Sequence, residues 1–233
     1  MIYDSKISVI IPVFNEQFFL EKNISFFIGL AKNSEVIFVD GGSDDKTREI
    51  LITNGFCVIL SPRANRGFQM NLGAKIAKGD ILLFLHGDTF LPSNYYQEIN
   101  DLLSRRRVVA GAFNLAIEGN NSLFYFISWM VKVRSHLFSL PYGDQGIFMK
   151  KETFKTVGGF SEIAIMEDFA MIKKLQKIGK INIAHGYVTT SARRWQKLGI
   201  FKTTLINQIM IIGYYLKINP DQLAKIYRQF KNN

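Results

Sequence analysis

Residues 7–16, ISVIIPVFNE, and residues 35–45, EVIFVDGGSDD, share one design: an unbroken apolar run that ends in Gly, Asn and acidic residues. A run with no polar alternation is what a strand buried on both faces requires. It predicts strands over Ile7–Pro12 and Glu35–Asp40. Between them, Phe18, Phe19, Leu20, Ile24, Phe27 and Ile28 recur at helical spacing within Gln17–Lys32. The pattern then repeats. Helices are predicted over Asp44–Thr53, Phe68–Ala77 and Asn94–Ser104, with Pro92 and Ser93 at the start of the last. Strands are predicted over Cys57–Leu60 and Ile81–Leu85. Strands and helices alternating in this way give an α/β, mostly parallel, doubly wound sheet with helices on both faces.

Beyond residue 107 the alternation loosens. A longer strand is expected over Val108–Ile117, an aromatic-rich helix over Asn121–Ser139 and a short strand over Gln145–Lys150. Glu167–Lys177 reads as a helix and Ile181–Thr190 as one or two strands. Leu198–Lys217 and Gln222–Phe230 close the chain as C-terminal helices. With 233 residues and no linker-like tract, a single domain is expected. It divides into a first half (1–118), a second part (119–198) and C-terminal helices (199–233).

Charge is unevenly placed. The overall +10 resolves into −1 over residues 1–118 and +11 over 119–233, so the second half is suited to an anionic partner. Arg105-Arg106-Arg107 reads as a solvated helix end. The lone Cys57 excludes an intramolecular disulfide and a Cys-cluster zinc site, and it is expected to be an inert core residue. His136 and His185 are expected to be structural or surface residues. With no secretory leader pattern, the expected compartment is the cytosol. The central Asn207-Gln208 pair argues against Ile200–Ile218 spanning a bilayer. Leu205, Ile209, Ile212 and Leu216 nevertheless share a face, so peripheral membrane contact stays open beside packing on the sheet or in a homo-oligomer.

In parallel sheets, ligands collect beyond the carboxyl ends of the strands. Glu16, Asp40 and Asp88 all sit there. Each has a structural alternative, as a turn or cap residue. No G-x-x-x-x-G-K-[ST] loop and no G-x-G-x-x-G motif follows the first strand, which removes the P-loop and dinucleotide readings. Strand-end carboxylates suit hydrogen bonds to a base and ribose, together with Mg²⁺ or Mn²⁺ bridging a diphosphate.

ISVIIPVFNE, VIFVDGGSDDKT (36–47), Asp88 of LFLHGDT and the Glu167-Asp168 pair together resemble glycosyltransferase family 2, with its GT-A-type nucleotide-diphospho-sugar transferase fold. RGFQMN-GA (66–74), GDQGIF (143–148) and ARRW (192–195) add a likeness to a small bacterial subgroup labelled arsenosugar-biosynthesis glycosyltransferases. The resemblance implies an inverting, metal-dependent transfer from a nucleotide-diphosphate sugar, commonly UDP-linked, to an acceptor hydroxyl. It implies that Pro12, Asn15 and Glu16 shape the nucleotide pocket, that Asp40 hydrogen-bonds the base and that Gly41 lets the backbone lie flat beneath the ligand. Arg66 and Gln69 would lie near the ribose or diphosphate, Gly87 would belong to the nucleotide-sugar site, and Asp88 would carry the metal contact. The first acid of the usual Asp-x-Asp is His86 here. Asp168 is the expected general base, with Glu167 orienting it or exchanging roles; helix capping is the structural alternative. Arg193, Arg194 and Trp195 would hold the diphosphate. Gly143, Asp144 and Gln145 are assigned to the acceptor side. Two other readings, a sugar-nucleotide-forming nucleotidyltransferase and a nucleic-acid-binding protein, lack a basic Gly-rich loop and an RNA-stacking signature respectively. Nucleic acid is therefore not an expected partner.

Overall fold

The computed structural model describes residues 5–232, apart from the side chains of Arg194, Lys231 and Asn232. Its first half follows the predicted alternation: β1 (Ile7–Val13), α1 (Gln17–Leu30), β2 (Glu35–Asp40), α2 (Thr47–Thr53), β3 (Cys57–Leu60), α3 (Arg66–Ile76), β4 (Ile81–Phe84), a two-residue β5 (Thr89–Phe90) and α4 (Tyr95–Ser104). There follow β6 (Val108–Ile117), α5 (Ser122–Phe138), a 3₁₀ turn (Gly143–Gln145), β7 (Ile147–Lys150), α6 (Lys151–Thr156), α7 (Glu167–Gln176) and β8 (Lys180–Thr190). The chain closes with α8 (Arg193–Leu198), α9 (Ile200–Tyr215) and α10 (Pro220–Asn232).

The strands form one sheet in the order β3-β2-β1-β4-β7-β6-β8-β5. Pairs β3/β2, β2/β1, β1/β4 and β6/β8 are parallel, whereas β7 runs antiparallel to both its neighbours and β5 to β8. The sheet is thus a mixed one, of the GT-A type. Irregular register between Val108 and Ala110 and again between Ala112 and Asn114 bends β6.

Successive residues of a buried strand face opposite ways, and β1 uses both faces. Val9 and Ile11 join Phe27, Phe38, Leu51 and Ile99 under α1, α2 and α4. Ile10 joins Ile37, Met70, Leu82, Phe154 and Ile172 under α3, α6 and α7. Every one of these residues is buried, which is why the strands read as continuous apolar runs. α9 and α10 build a smaller cluster of Ile206, Met210, Leu223 and Ala224 on Ile165.

Two expectations are corrected. Cys57 is exposed, because β3 is the edge of the sheet and its ends lie uncovered. The helix expected over Leu198–Lys217 is broken at Gly199, whose φ of 79° separates α8 from α9. The short elements β5 and α6 carried no signal in the pattern. Arg105–Arg107 are exposed at the end of α4, as expected.

Candidate active site

β1 has β2 on one side and β4 on the other, so the chain reverses its direction of strand addition at β1. That is the switch point at which parallel sheets open a crevice. A cleft of about 390 Å³ lies there, within the size range of small-molecule sites. Pro12 of β1, Phe14 and Glu16 just after it, Arg66 and Gln69 of α3, and His86, Gly87 and Asp88 after β4 line it. The rest of the lining comes from Tyr142, Asp144, Met166, Asp168 and Phe169, together with Trp195 and the helix residues Asn207, Met210, Ile211 and Tyr227.

The loops after β1 and β2 are laced together. Asn15, held at φ 54°, accepts the Asp44 N–H at 3.1 Å and donates its own N–H to Ser43 Oγ at 2.9 Å. The Glu16 N–H donates to Thr47 Oγ1 at 2.8 Å. Asp40 belongs to this lacing. It is fully buried, its Oδ2 accepts the N–H groups of Gly42 and Ser43 at 3.1 and 3.0 Å, and its Oδ1 accepts the Ser43 hydroxyl. In this structure Asp40 thus holds a turn behind the cleft and is not among the residues that line it. Gly41 lies close against Ala64 and α3: an added Cβ would stand 3.1 Å from Gln69 Nε2 and 3.2 Å from Ala64 Cα. Gln69 reaches the cleft floor, but its amide donates to the carbonyls of Val13 and Val39 at 3.1 and 2.8 Å, tying the ends of β1 and β2 together.

Glu167 and Asp168 open α7 after Met166, a non-glycine residue at φ 68°, and they part company there. Glu167 is buried and paired with Arg66 Nε at 3.0 Å. Its charge holds the Arg66 guanidinium pKa above the ordinary value. Asp168 faces the cleft; its Oδ2 accepts the Gly143 N–H at 2.8 Å and its Oδ1 the Phe169 N–H at 2.7 Å. An added Cβ on Gly143 would lie 2.9 Å from His86 Nε2 and 3.1 Å from Asp168 Oδ2. Both groups therefore crowd the same point. Gly143→Ala is expected to lower kcat by about 10²-fold through misplacement of Asp168, with the melting temperature near that of the wild type. Steady-state kinetics beside a thermal melt checks this.

Of the remaining acceptor-side expectations, Asp144 lines the cleft and Gln145 does not. Gln145 is fully buried, donates to Phe113 O at 2.8 Å and accepts from Arg134, Ser135 Oγ and the Tyr142 N–H. It fixes the 3₁₀ turn that presents Gly143. Tyr142, on which the Arg134 guanidinium stacks at 3.4 Å, enters the site from the same turn. Burial raises its hydroxyl pKa. No sequence signal marked it, nor Met210, Ile211 and Tyr227. Asn207 did leave one: a polar residue inside an apolar helix.

Arg193 joins two of the strand-end acids. Its guanidinium nitrogen is 2.9 Å from Glu16 Oε2 and 3.6 Å from Asp88 Oδ2. Trp195 lines the cleft beside it; the Arg194 side chain lies outside the described residues. Burial raises the Glu16 carboxyl pKa, against the hydrogen bond and charge of Arg193, and the nearby Asp88 adds to the rise. A carboxyl with a raised folded pKa holds its proton more tightly in the folded chain. Its contribution to stability is present below the unfolded pKa and is lost as pH rises through the folded one. Glu16→Gln should thus gain in melting temperature relative to wild type as pH rises through that window. A constant or shrinking difference in a pH series of thermal melts would count against the burial of this charge.

The Glu16 and Asp88 carboxylates thus both face one cationic group, Arg193, at the rim of the cleft. Among the described residues no group of three or more His, Cys, Asp or Glu encloses a metal position. One or two carboxylates are a donor set compatible with Mg²⁺ or Mn²⁺ only where a substrate diphosphate and water would complete the shell.

Residues 8–174 match the sequence profile described as Glycosyl transferase family 2. The chain belongs to that family. An uncharacterized glycosyltransferase of Haemophilus influenzae is 24% identical over 222 residues, covering 91% of this chain and 88% of its own. One from Rickettsia typhi is 26% identical over 199 residues, 78% of this chain, which spans 62% of that longer protein. Among solved structures, a mannosyltransferase from Pyrobaculum calidifontis in complex with GDP-Man and Mn²⁺ superimposes with a TM-score of 0.66 at 16% identity, over 99% of this chain and 70% of that one. GalNAc-T7 with UDP, GalNAc and Mn²⁺ gives 0.61 at 18% identity, over 80% of this chain and 44% of that one. At such identities these two establish the shared GT-A fold.

Proposed function

We propose that the chain is an inverting, metal-dependent glycosyltransferase that moves a sugar from a nucleotide-diphosphate sugar, UDP-linked, to an acceptor hydroxyl. The observation that carries this reading is the division of the cleft. One part gathers Glu16, Asp88 and Arg193, and another presents the Asp168 carboxylate from the start of α7. A displacement at an anomeric carbon needs both. The leaving diphosphate must have its growing charge neutralised, and the attacking hydroxyl must lose a proton on the opposite face of the sugar.

Asp88, with Glu16 beside it, would hold Mg²⁺ or Mn²⁺, which supplies charge neutralisation to the diphosphate. Arg193 offers bidentate contacts to the same phosphates, and Arg66 adds a second guanidinium at the cleft. Asp168 accepts the acceptor proton at its carboxylate. The Gly143 N–H fixes the orientation of that carboxylate, and Glu167 acts through Arg66 rather than as a base. Asp144, Tyr142 and Trp195 are assigned to acceptor and sugar contacts. Residues 1–118, joined by Arg193, thus serve the donor, and the rest of 119–198 the acceptor and the chemistry, with α9 and α10 along the cleft. The donor nucleotides held by two solved relatives of this fold support the donor class; the acceptor class is left open.

Proton NMR of the transferred sugar tests the stereochemistry. An anomeric configuration opposite to that of the donor supports Asp168 as base; retention would require a covalent intermediate or attack from the side of the leaving group, and would overturn the assignment.

A further inference from the structure

Two helices present apolar side chains to solvent on the face opposite the one they bury. α9 buries Thr203, Ile206, Met210 and Gly213, yet Phe201 is 82%, Leu205 60%, Ile212 56% and Leu216 70% exposed. These four fall on one stripe of the helix. α5 buries Phe124 and Ile127, while Tyr125, Phe126 and Trp129 are exposed. Phe126 and Trp129 stack on each other, ring centroids 6.0 Å apart, instead of on the core. The two helices adjoin, since Ile200 at the head of α9 packs in one cluster with Ile127 and Val131 of α5.

The segments that carry these faces hold charge of one sign, although Arg193 and Arg134 among them are engaged with Glu16, Asp88, Tyr142 and Gln145. Residues 119–143 and 191–220 carry seven Lys and Arg and no Asp or Glu. Lys132, Lys197 and Lys217 are exposed, and Lys202 and Lys217 stand near the two ends of the α9 stripe. Lysines at the ends of an apolar face, with tryptophan and tyrosine beside it, are the pattern of a helix lying in a lipid headgroup layer. Among the described residues no helix is long and apolar enough to cross a membrane, so the surface would rest on the bilayer.

We propose that the outer faces of α5 and α9 form one docking surface for an anionic phospholipid bilayer. Anionic lipid is the occupant that matches both features at once: the apolar stripe enters the headgroup boundary, and the lysines meet the negative surface. The surface lies outside the cleft, so this inference stands or falls independently of the catalytic reading.

Flotation of the full chain with vesicles of phosphatidylcholine alone, and of phosphatidylcholine mixed with phosphatidylglycerol, tests it. Wild type should float with the anionic vesicles at low salt and be released at high salt, as Asp88→Ala also should. Lys202→Gln/Lys217→Gln should weaken binding by about tenfold or more. Phe126→Ser/Trp129→Ser and Phe201→Ser/Leu205→Ser should each weaken it comparably, without a fall in melting temperature. Equal flotation with neutral vesicles, or none with either, would overturn the proposal. Sedimentation velocity supplies the other decisive outcome: a dimer abolished by the same serine substitutions would assign these faces to a second copy of the chain instead.

Discussion

Asp168→Asn is expected to lower kcat by about 10³-fold while leaving donor affinity within about twofold of wild type. The substitution keeps the shape of the side chain; it removes the capacity to take a proton and one of two acceptor oxygens, the one that meets the Phe169 N–H. An amide can still offer its oxygen to the Gly143 N–H, which lies 2.8 Å from Asp168 Oδ2, so the 3₁₀ turn and the start of α7 keep their contact. The donor-side groups Glu16, Asp88 and Arg193 belong to other elements and are untouched. Glu167→Gln is the informative companion. Glu167 is buried against Arg66, so its loss should disturb donor binding and stability as well as turnover. If Asp168→Asn were to lose donor affinity and keep its turnover at saturation, the base would have to be sought elsewhere in the cleft.

Asp88→Ala is expected to remove the Mn²⁺-dependent part of donor affinity, a loss of about 10²-fold, and with it nearly all activity. His86 occupies the other position of the motif and is a poor partner for a hard cation beside a diphosphate, so Asp88 carries the contact with Glu16 as its neighbour. The substitution also takes one of two acids from Arg193 and leaves Glu16 at 2.9 Å. Arg193 should therefore stay in place, and the unliganded fold should lose little stability. Titration of donor with and without Mn²⁺ on both proteins checks this; an unchanged metal response in Asp88→Ala would move the ion away from the end of β4.

The location of the site was legible in the sequence for a simple reason. Parallel strands buried on both faces read as unbroken apolar runs, and the residues just past them must lie at the carboxyl rim. Glu16, Asp88 and Asp168 could be named on that basis and from the family likeness. What each acid does was less legible, because it depends on partners distant in the chain. Asp40, read as a ligand contact, accepts the N–H groups of Gly42 and Ser43 in this structure. Gln145 is enclosed by Arg134, Ser135 and Phe113, contacts made only once α5 and β6 come together. Cys57 sits in a genuine strand, but an apolar run does not say whether that strand is an edge. The wall formed by α9 and α10 was hidden because α9 is apolar on both faces, which blurs the periodicity that would have oriented it. Asn207 held the clue, since a polar side chain inside such a helix needs a polar surface to face.

The most direct test of the central claim is a thermal-shift series on the wild-type chain with UDP, GDP, CDP and dTDP, each with and without Mn²⁺. A ligand at 100 times its Kd adds about 2.7 kcal/mol to folding stability, a shift of several degrees in a domain of this size. The expected result is stabilisation by one nucleoside diphosphate, UDP, only when Mn²⁺ is present. Stabilisation by none of the four, with or without the ion, would contradict the account of the cleft as a metal-dependent site for a nucleotide-diphosphate sugar.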